Sequence, residues 1–138
     1  MVNTIDMQDL RYLNLFEKIT RVKTKFCFKY NEAIIFCVPR NLVPKAVSDG
    51  GRNIRQMSGI LKRRVKIISN PRGIQDAKSF VKDIVSPVRF NDLEIKDNEI
   101  ILTAGSRNKA ALIGRNKRRL LEMKKIIKGY FGKDFRIV

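Results

Sequence analysis

Two short glycine-containing segments carry the residues best suited to chemistry in this chain. Loop 1 reads Ser-Asp-Gly-Gly at residues 48–51, loop 2 reads Gly-Arg-Asn-Lys at residues 114–117, and basic residues follow each of them. Each loop is predicted to join two helices. Glycine lets a ligand approach the backbone, the first N–H groups of a helix are unpaired, and the helix dipole favours an anion. Both loops therefore suit phosphate binding.

Other kinds of site lack the residues that they need. The chain contains no histidine, which excludes imidazole acid–base catalysis, histidine metal ligation and the usual hydrolytic triads. Cys27 and Cys37 are too few for a four-thiolate zinc site, and we expect two free thiols opposite each other on the outward face of a hairpin. The carboxylates are too scattered to hold magnesium. The chain is predicted to have no catalytic residue, metal or cofactor, and not to be an enzyme.

The charge predicts a polyanionic partner. The 138 residues include 30 Lys and Arg against 13 Asp and Glu, a net charge of +17, and 43% are hydrophobic, as in a folded protein. Solubility asks only for a net charge of about 2–8 in a small domain. Nucleic acid is favoured over a membrane surface because no long amphipathic helix is visible. The longest apolar run, residues 33–38, is far shorter than the roughly 20 residues of a spanning helix. No signal peptide is apparent, so a cytoplasmic protein is expected.

The hydrophobic pattern predicts the same element order twice, α-β-β-α-turn-α-β. In the first copy we expect helices at 4–17, 41–47 and 52–61 and strands at 22–30, 34–38 and 65–68. In the second copy we expect helices at 76–85, 106–113 and 118–128 and strands at 88–96, 100–104 and 134–138. The side chains of Phe26, Phe28 and Tyr30 alternate along their strand and are predicted to face the core.

An offset of 66 residues superimposes the two copies. It places Val47 on Ile113, Ile54 on Leu120 and Met57 on Met123. The last strands need an offset of 70, so residues 129–132 are predicted to be an inserted loop. The sequence thus predicts an α+β protein with domains at 1–70 and 71–138, each a three-stranded sheet covered by helices on one face. Each copy is small for an independent core, and we expect the two to pack together.

The two glycine turns resemble the GxxG loop of the KH domain, and α-β-β-α-α-β is the order of its type II form. Two such domains in one chain, the first containing Gly-Gly-Arg-Asn-Ile at residues 50–54, resemble the NusA family of transcription factors, in its short archaeal form. The resemblance implies single-stranded RNA binding in transcription elongation, termination or antitermination, with RNA polymerase as a further partner. KH loops clamp about four nucleotides and lay the bases along an apolar groove.

The resemblance assigns roles to particular residues. The predicted RNA contacts are Gly50, Gly51, Arg52, Arg55, Gly114, Arg115, Asn116, Lys117, Arg118 and Arg119. The predicted base groove is lined by Val47, Ile54, Ile113 and Leu120. Both loops depart from the pattern: Ser48 replaces the first glycine, Asp49 adds a carboxylate, and Lys117 replaces the last glycine. We therefore predict that loop 2 supplies more of the phosphate affinity.

Several alternatives remain open at this stage. The glycines of loop 1 could simply end one helix and begin the next, and the groove residues could be ordinary core. Lys124, Lys125 and Lys128 are expected to be a solvated helix face. The chain could also be a structural ribonucleoprotein component, similar to ribosomal proteins with type II KH folds, or an adaptor that binds polymerase directly.

Overall fold

The computed structural model describes residues 7–138, which form two compact units. The first unit ends at Pro71 and the second begins at Arg72. Each unit contains one three-stranded sheet, whose first two strands are antiparallel and whose last two are parallel. The predicted α+β class, with two three-stranded sheets, is confirmed.

The elements follow the predicted order in both units. The first unit contains α1 (Met7–Thr20), β1 (Phe26–Tyr30), β2 (Ala33–Val38), α2 (Val43–Val47), α3 (Arg52–Leu61) and β3 (Arg64–Ser69). The second unit contains α4 (Ala77–Val85), β4 (Asp92–Ile95), β5 (Glu99–Thr103), α5 (Ser106–Ile113), α6 (Arg118–Phe131) and β6 (Asp134–Ile137). Single 3-10 turns precede α2, α3, α4 and α6. The predicted start of the first helix, at residue 4, lies outside the described residues.

The core of the first unit lies between its helices and one face of its sheet. The strand β2 is buried along its whole length, as expected for the central strand of a sheet with a near-continuous apolar run. Phe16 of α1 stacks on Phe36 of β2 with ring centroids 4.5 Å apart, and Met57 of α3 is fully buried in the same cluster. Burying each such side chain contributes about 1.5–3 kcal/mol, so these contacts hold α1 and α3 on the sheet.

The predicted hairpin register was wrong by one residue. The turn contains two residues, Asn31 and Glu32, so Cys27 pairs with Phe36 and Phe26 pairs with Cys37. The two free thiols consequently lie on opposite faces of the sheet. The same register puts Phe26, Phe28 and Tyr30 on the sheet face opposite to Phe36, outside the core cluster that the helices of this unit cover; Tyr30 is buried there, while Phe26 and Phe28 are half-buried.

The second unit keeps the plan of the first with a longer last helix. Residues 129–131 continue α6 instead of forming the predicted loop, and the helix ends at Gly132 in a left-handed conformation. Tyr130 and Phe131 pack on Phe80 of α4, with ring centroids 4.8 and 6.0 Å from it. Because aromatic burial outweighs the low helix propensity of Gly129, the helix runs on to Phe131.

Candidate nucleic-acid interface

Loops 1 and 2 have the same backbone conformation although they share no residue type at any position. Their first residues have φ/ψ of 68°/177° (Ser48) and 76°/172° (Gly114). Their third residues have 59°/22° (Gly50) and 56°/27° (Asn116). Their fourth residues have 76°/24° (Gly51) and 60°/23° (Lys117). The repeat is therefore preserved at the level of backbone torsions, where the sequence has diverged.

Each loop has glycine only where the other lacks it. The first position lies in a region of φ/ψ that is essentially restricted to glycine, so Ser48 is strained there by about 1–3 kcal/mol. Gly114 satisfies that requirement, and a β-carbon on it would lie 2.9 Å from Cγ of Arg119. At the third and fourth positions loop 1 has Gly50 and Gly51, while loop 2 relies on a left-handed asparagine and lysine, of which only asparagine is favoured.

The shared backbone leaves two adjacent amides of each loop without a backbone acceptor among residues 7–138. The first amide of each loop bonds back to the preceding helix, over 2.9 Å in loop 1 and 3.0 Å in loop 2. The fourth amide bonds to the first carbonyl of its own loop, over 3.2 Å in both. In the part of the chain that the structure describes, the second and third amides have no backbone acceptor; they belong to Asp49, Gly50, Arg115 and Asn116. Successive free N–H groups at a helix start form an anion-binding concavity.

Loop 2 surrounds its free amides with positive charge. Arg115, Lys117 and Arg118 are all exposed. Neither Arg115 nor Lys117 forms an ion pair with any of residues 7–138. Cations at the N-terminus of a helix oppose its dipole, which costs about 0.3–1 kcal/mol each. A bound anion would remove that conflict.

Arg119 has a structural contact that its assignment to the RNA surface did not include. Its Nη1 donates a hydrogen bond of 2.8 Å to the carbonyl of Ala111, which joins α6 to α5 beneath loop 2. In the first unit the buried Asn53 does the same, with Nδ2 donating over 3.0 Å to the carbonyl of Ala46. The 66-residue offset pairs Asn53 with Arg119, so side chains at equivalent positions of the two units join the helices on either side of each loop.

Loop 1 carries its own anion. The carboxylate of Asp49 is exposed at the start of α3, where the helix dipole favours it. The two nearby arginines bond to the loop itself: Nη2 of Arg52 lies 3.3 Å from Oγ of Ser48, and Nη1 of Arg55 donates to the carbonyl of Gly50. The start of α3 thus has a carboxylate next to it, whereas the start of α6 has only cations.

The four predicted groove residues are half-buried in both units. Val47 and Ile54 pack against the core cluster of the first unit, so each has one side in the core and part of its surface accessible. Ile113 and Leu120 occupy the equivalent positions beside loop 2 and are half-buried too. They lie directly before and three residues after the loops.

Within residues 7–138 no three His, Cys, Asp or Glu residues come together as a metal site would require. Nor does any helix of that range have the length and apolar character that crossing a membrane demands.

Comparison with known proteins finds a distant relative of this chain. No protein-family model matches the chain. It is 25% identical over 114 residues to a protein of Methanococcus vannielii named "Probable transcription termination protein NusA", a match that covers 80% of this chain. The chain spans 64% of the length of that relative. This distant match confirms the resemblance to NusA that the two glycine turns indicated.

A solved structure shares the fold. The structure titled "Crystal structure of APE1850" superimposes with a TM-score of 0.68 over 96% of this chain and 99% of that one, at 21% identity. Two three-stranded mixed sheets in this arrangement are consistent with two tandem KH-like domains.

Proposed function

We propose that this chain is a single-stranded RNA-binding protein that acts in transcription elongation, termination or antitermination. Its domains, at 1–70 and 71–138, would act as two KH domains. The observation that carries the proposal is the repeated pair of free amides at a helix start, in a protein with a net charge of +17. Phosphate is an anion that adjacent backbone N–H donors at a helix start bind readily.

Loop 2 is the principal phosphate site in this proposal. The amides of Arg115 and Asn116 donate to one phosphate, and the side chains of Lys117 and Arg118 lie next to it in sequence. Gly114 allows the turn to form, and Arg119 fixes α6 against α5. About four nucleotides fit such a loop, with bases along the apolar groove that begins at Ile113 and Leu120.

Loop 1 plays the weaker part. Gly50, Gly51, Arg52 and Arg55 remain candidate contacts, but a phosphate at the free amides would lie beside the carboxylate of Asp49. The two negative charges would repel each other, and the hydrogen bonds from the two amides would not offset that repulsion. Loop 1 therefore contributes to the path of the RNA more than to its affinity.

The transcription role rests on the relative and not on the geometry. The relative from Methanococcus vannielii is named for transcription termination. An RNA-binding termination factor would work in the cytoplasm beside RNA polymerase. The carboxylate in loop 1 favours a second candidate, an adaptor that binds polymerase directly and RNA weakly. Co-purification separates these from a structural ribonucleoprotein: polymerase supports the first two, and stoichiometric ribosomal RNA supports the last.

Titration of single-stranded RNA over a range of salt concentrations tests the proposal. If about six phosphates are neutralised, log Kd should change with log salt with a slope of magnitude near 4. The double variant Arg115→Ala, Lys117→Ala should bind at least about 10-fold more weakly, since it removes two charge-assisted contacts. A matched control is Lys82→Ala, Arg89→Ala, which removes the same charges from exposed positions outside the loop. A slope near zero would contradict binding through phosphates, and equal affinity for duplex DNA would contradict a preference for single-stranded RNA.

A further inference from the structure

The outward face of α6 carries a cationic stripe that neither loop explains. We define the α6 stripe by five exposed residues on one side of the helix: Arg118, Leu121, Lys124, Lys125 and Lys128. Residues three and four apart on a helix are neighbours, so the stripe is continuous. At a rise of about 1.5 Å per residue it extends about 15 Å from loop 2. Leu121 lies in its middle with 58% of its surface exposed.

The two lysines in the middle of the α6 stripe are not neutralised by any carboxylate of residues 7–138. Lys124 and Lys125 make no ion pair with the described part of the chain, and Lys128 lies 3.5 Å from Asp134 in an exposed pair. Glu99, by contrast, pairs with Arg136 of the same unit at 3.1 Å. Like charges at i and i+4, such as Lys124 and Lys128, destabilise a helix by about 0.2–0.5 kcal/mol.

The helix dipole does not account for the α6 stripe. A cation in the last turn of a helix is favourable, which would explain Lys128 alone. Lys124 and Lys125 lie in the middle of α6, and Arg118 lies at the end where the dipole disfavours it. The arrangement costs stability in the free protein, and a bound polyanion would recover it.

The equivalent face of α3 lacks the central lysines. The 66-residue offset puts Ser58 and Gly59 at the positions of Lys124 and Lys125. The additional cations therefore occur only in the unit whose loop lacks a carboxylate. Loop 2 and α6 are thus both more positively charged than their equivalents in the first unit, loop 1 and α3.

We propose that the α6 stripe is a second RNA-binding surface, along which a single strand continues beyond loop 2. The inference rests on the proposed function, because loop 2 is where the strand begins. The lysines neutralise successive phosphates, and Leu121 provides an apolar contact on which a base can bury part of its face. A polyanion with apolar bases matches both properties of the stripe.

A charge-matched pair of triple variants tests the lysines. The stripe variant carries Lys124→Ala, Lys125→Ala and Lys128→Ala, and the control carries Lys18→Ala, Lys23→Ala and Lys25→Ala. Each set removes three exposed lysines, one of which forms a surface ion pair, Lys128 with Asp134 and Lys23 with Glu17. Each lost phosphate contact lowers the salt slope by about 0.7, so the stripe variant should lose about 2 from the slope and the control much less.

A substitution at Leu121 tests the contribution of the apolar contact to RNA affinity separately from that of the lysine charges. Leu121→Gln should weaken binding by about 3-fold at an unchanged salt slope, because the lost contact releases no counterions. The control is Ile60→Gln, which replaces an apolar residue of α3 that is 55% exposed. It should leave RNA affinity unchanged.

The outcomes distinguish this inference from the proposed function. Equal losses of affinity and slope in the two triple variants would overturn the α6 stripe, since net charge alone would then explain the binding. If the loop 2 variant weakens binding and the stripe variant does not, the stripe fails while the proposed function stands. If the unmodified protein binds no single-stranded RNA at low salt, the proposed function fails first.

Discussion

Loops 1 and 2 have the same backbone conformation but opposite charges at the second position. Their torsions agree to within about 20° at the first, third and fourth positions, and each leaves two adjacent amides with no backbone acceptor in the described part of the chain. Loop 1 places a carboxylate beside those amides, and loop 2 places an arginine there. The fold therefore determines where an anion can be held, and the side chain at the second position determines whether the protein supplies that anion itself.

The two loops also differ in where they store strain. Loop 1 accepts a serine at a position that suits only glycine and has glycine at the two left-handed positions. Loop 2 does the reverse, with glycine first and two non-glycine residues in the left-handed region. The two loops thus keep the same backbone with strained residues at different positions. Exchanging serine and glycine at the first position should therefore change the free energy of unfolding in opposite directions in the two loops.

The largest effect is expected from giving loop 2 the first residue of loop 1. In Gly114→Ser the new β-carbon would lie 2.9 Å from Cγ of Arg119 and 3.2 Å from its backbone nitrogen. With φ at 76° and ψ at 172°, the serine would also be strained. We expect a loss of about 2–4 kcal/mol in unfolding free energy, measured by urea titration followed by circular dichroism. Gly132→Ala is the control, since its β-carbon would meet nothing within 4 Å and should cost only about 1–2 kcal/mol.

The next effect concerns the second position of loop 2. Arg115→Asp copies the carboxylate of loop 1 and should weaken single-stranded RNA binding by about 30-fold at low salt, or about 2 kcal/mol. Fluorescence anisotropy with a short labelled RNA measures it. Thermal unfolding should be almost unchanged, because Arg115 is exposed and makes no ion pair within residues 7–138. Unchanged affinity would mean that loop 2 does not hold the phosphate.

Much of the fold could be predicted where local signals agree with packing. The helices α3 and α5 have the predicted bounds, because an apolar stripe at helical spacing runs between clear glycine-containing turns. The hairpin register could not be predicted, because Asn31 and Glu32 both adopt positive φ, a turn that Asn-Gly would have signalled and Asn-Glu does not. The extension of α6 depends on contacts with Phe80, which lies 50 residues away from Tyr130 in sequence and leaves no local signal.

The candidate site divides in the same way. Its residues could be found from sequence because glycine and charge cluster at two equivalent places. The hydrogen bond from Arg119 to Ala111 could not be predicted, because an arginine at a helix start is normally expected to be solvated. Nor could the torsions of Ser48, since serine gives no indication of a backbone region that it almost never occupies.

A smaller effect of the opposite sign is expected at the second position of loop 1. Asp49→Lys removes the internal anion and should tighten binding to single-stranded RNA by about 5-fold at low salt, or about 1 kcal/mol. Anisotropy titrations at several salt concentrations measure it, and the gain should fall as salt rises. Asp83→Lys makes the same charge change at an exposed position outside both loops and serves as control. If affinity does not change, loop 1 is not close to the phosphates.

The smallest effect tests strain alone. Ser48→Gly leaves the charge of loop 1 unchanged and removes the β-carbon from the glycine-only position. The relief of about 1–3 kcal/mol is partly offset by about 1 kcal/mol for the extra entropy of glycine in the unfolded chain and by loss of the contact between Arg52 and Ser48, so a net gain near 1 kcal/mol is expected. Chemical denaturation measures it, and RNA affinity should be nearly constant. Because Gly114→Ser reverses the same exchange in loop 2, destabilisation by both variants would mean that the two loops do not share one conformation in solution.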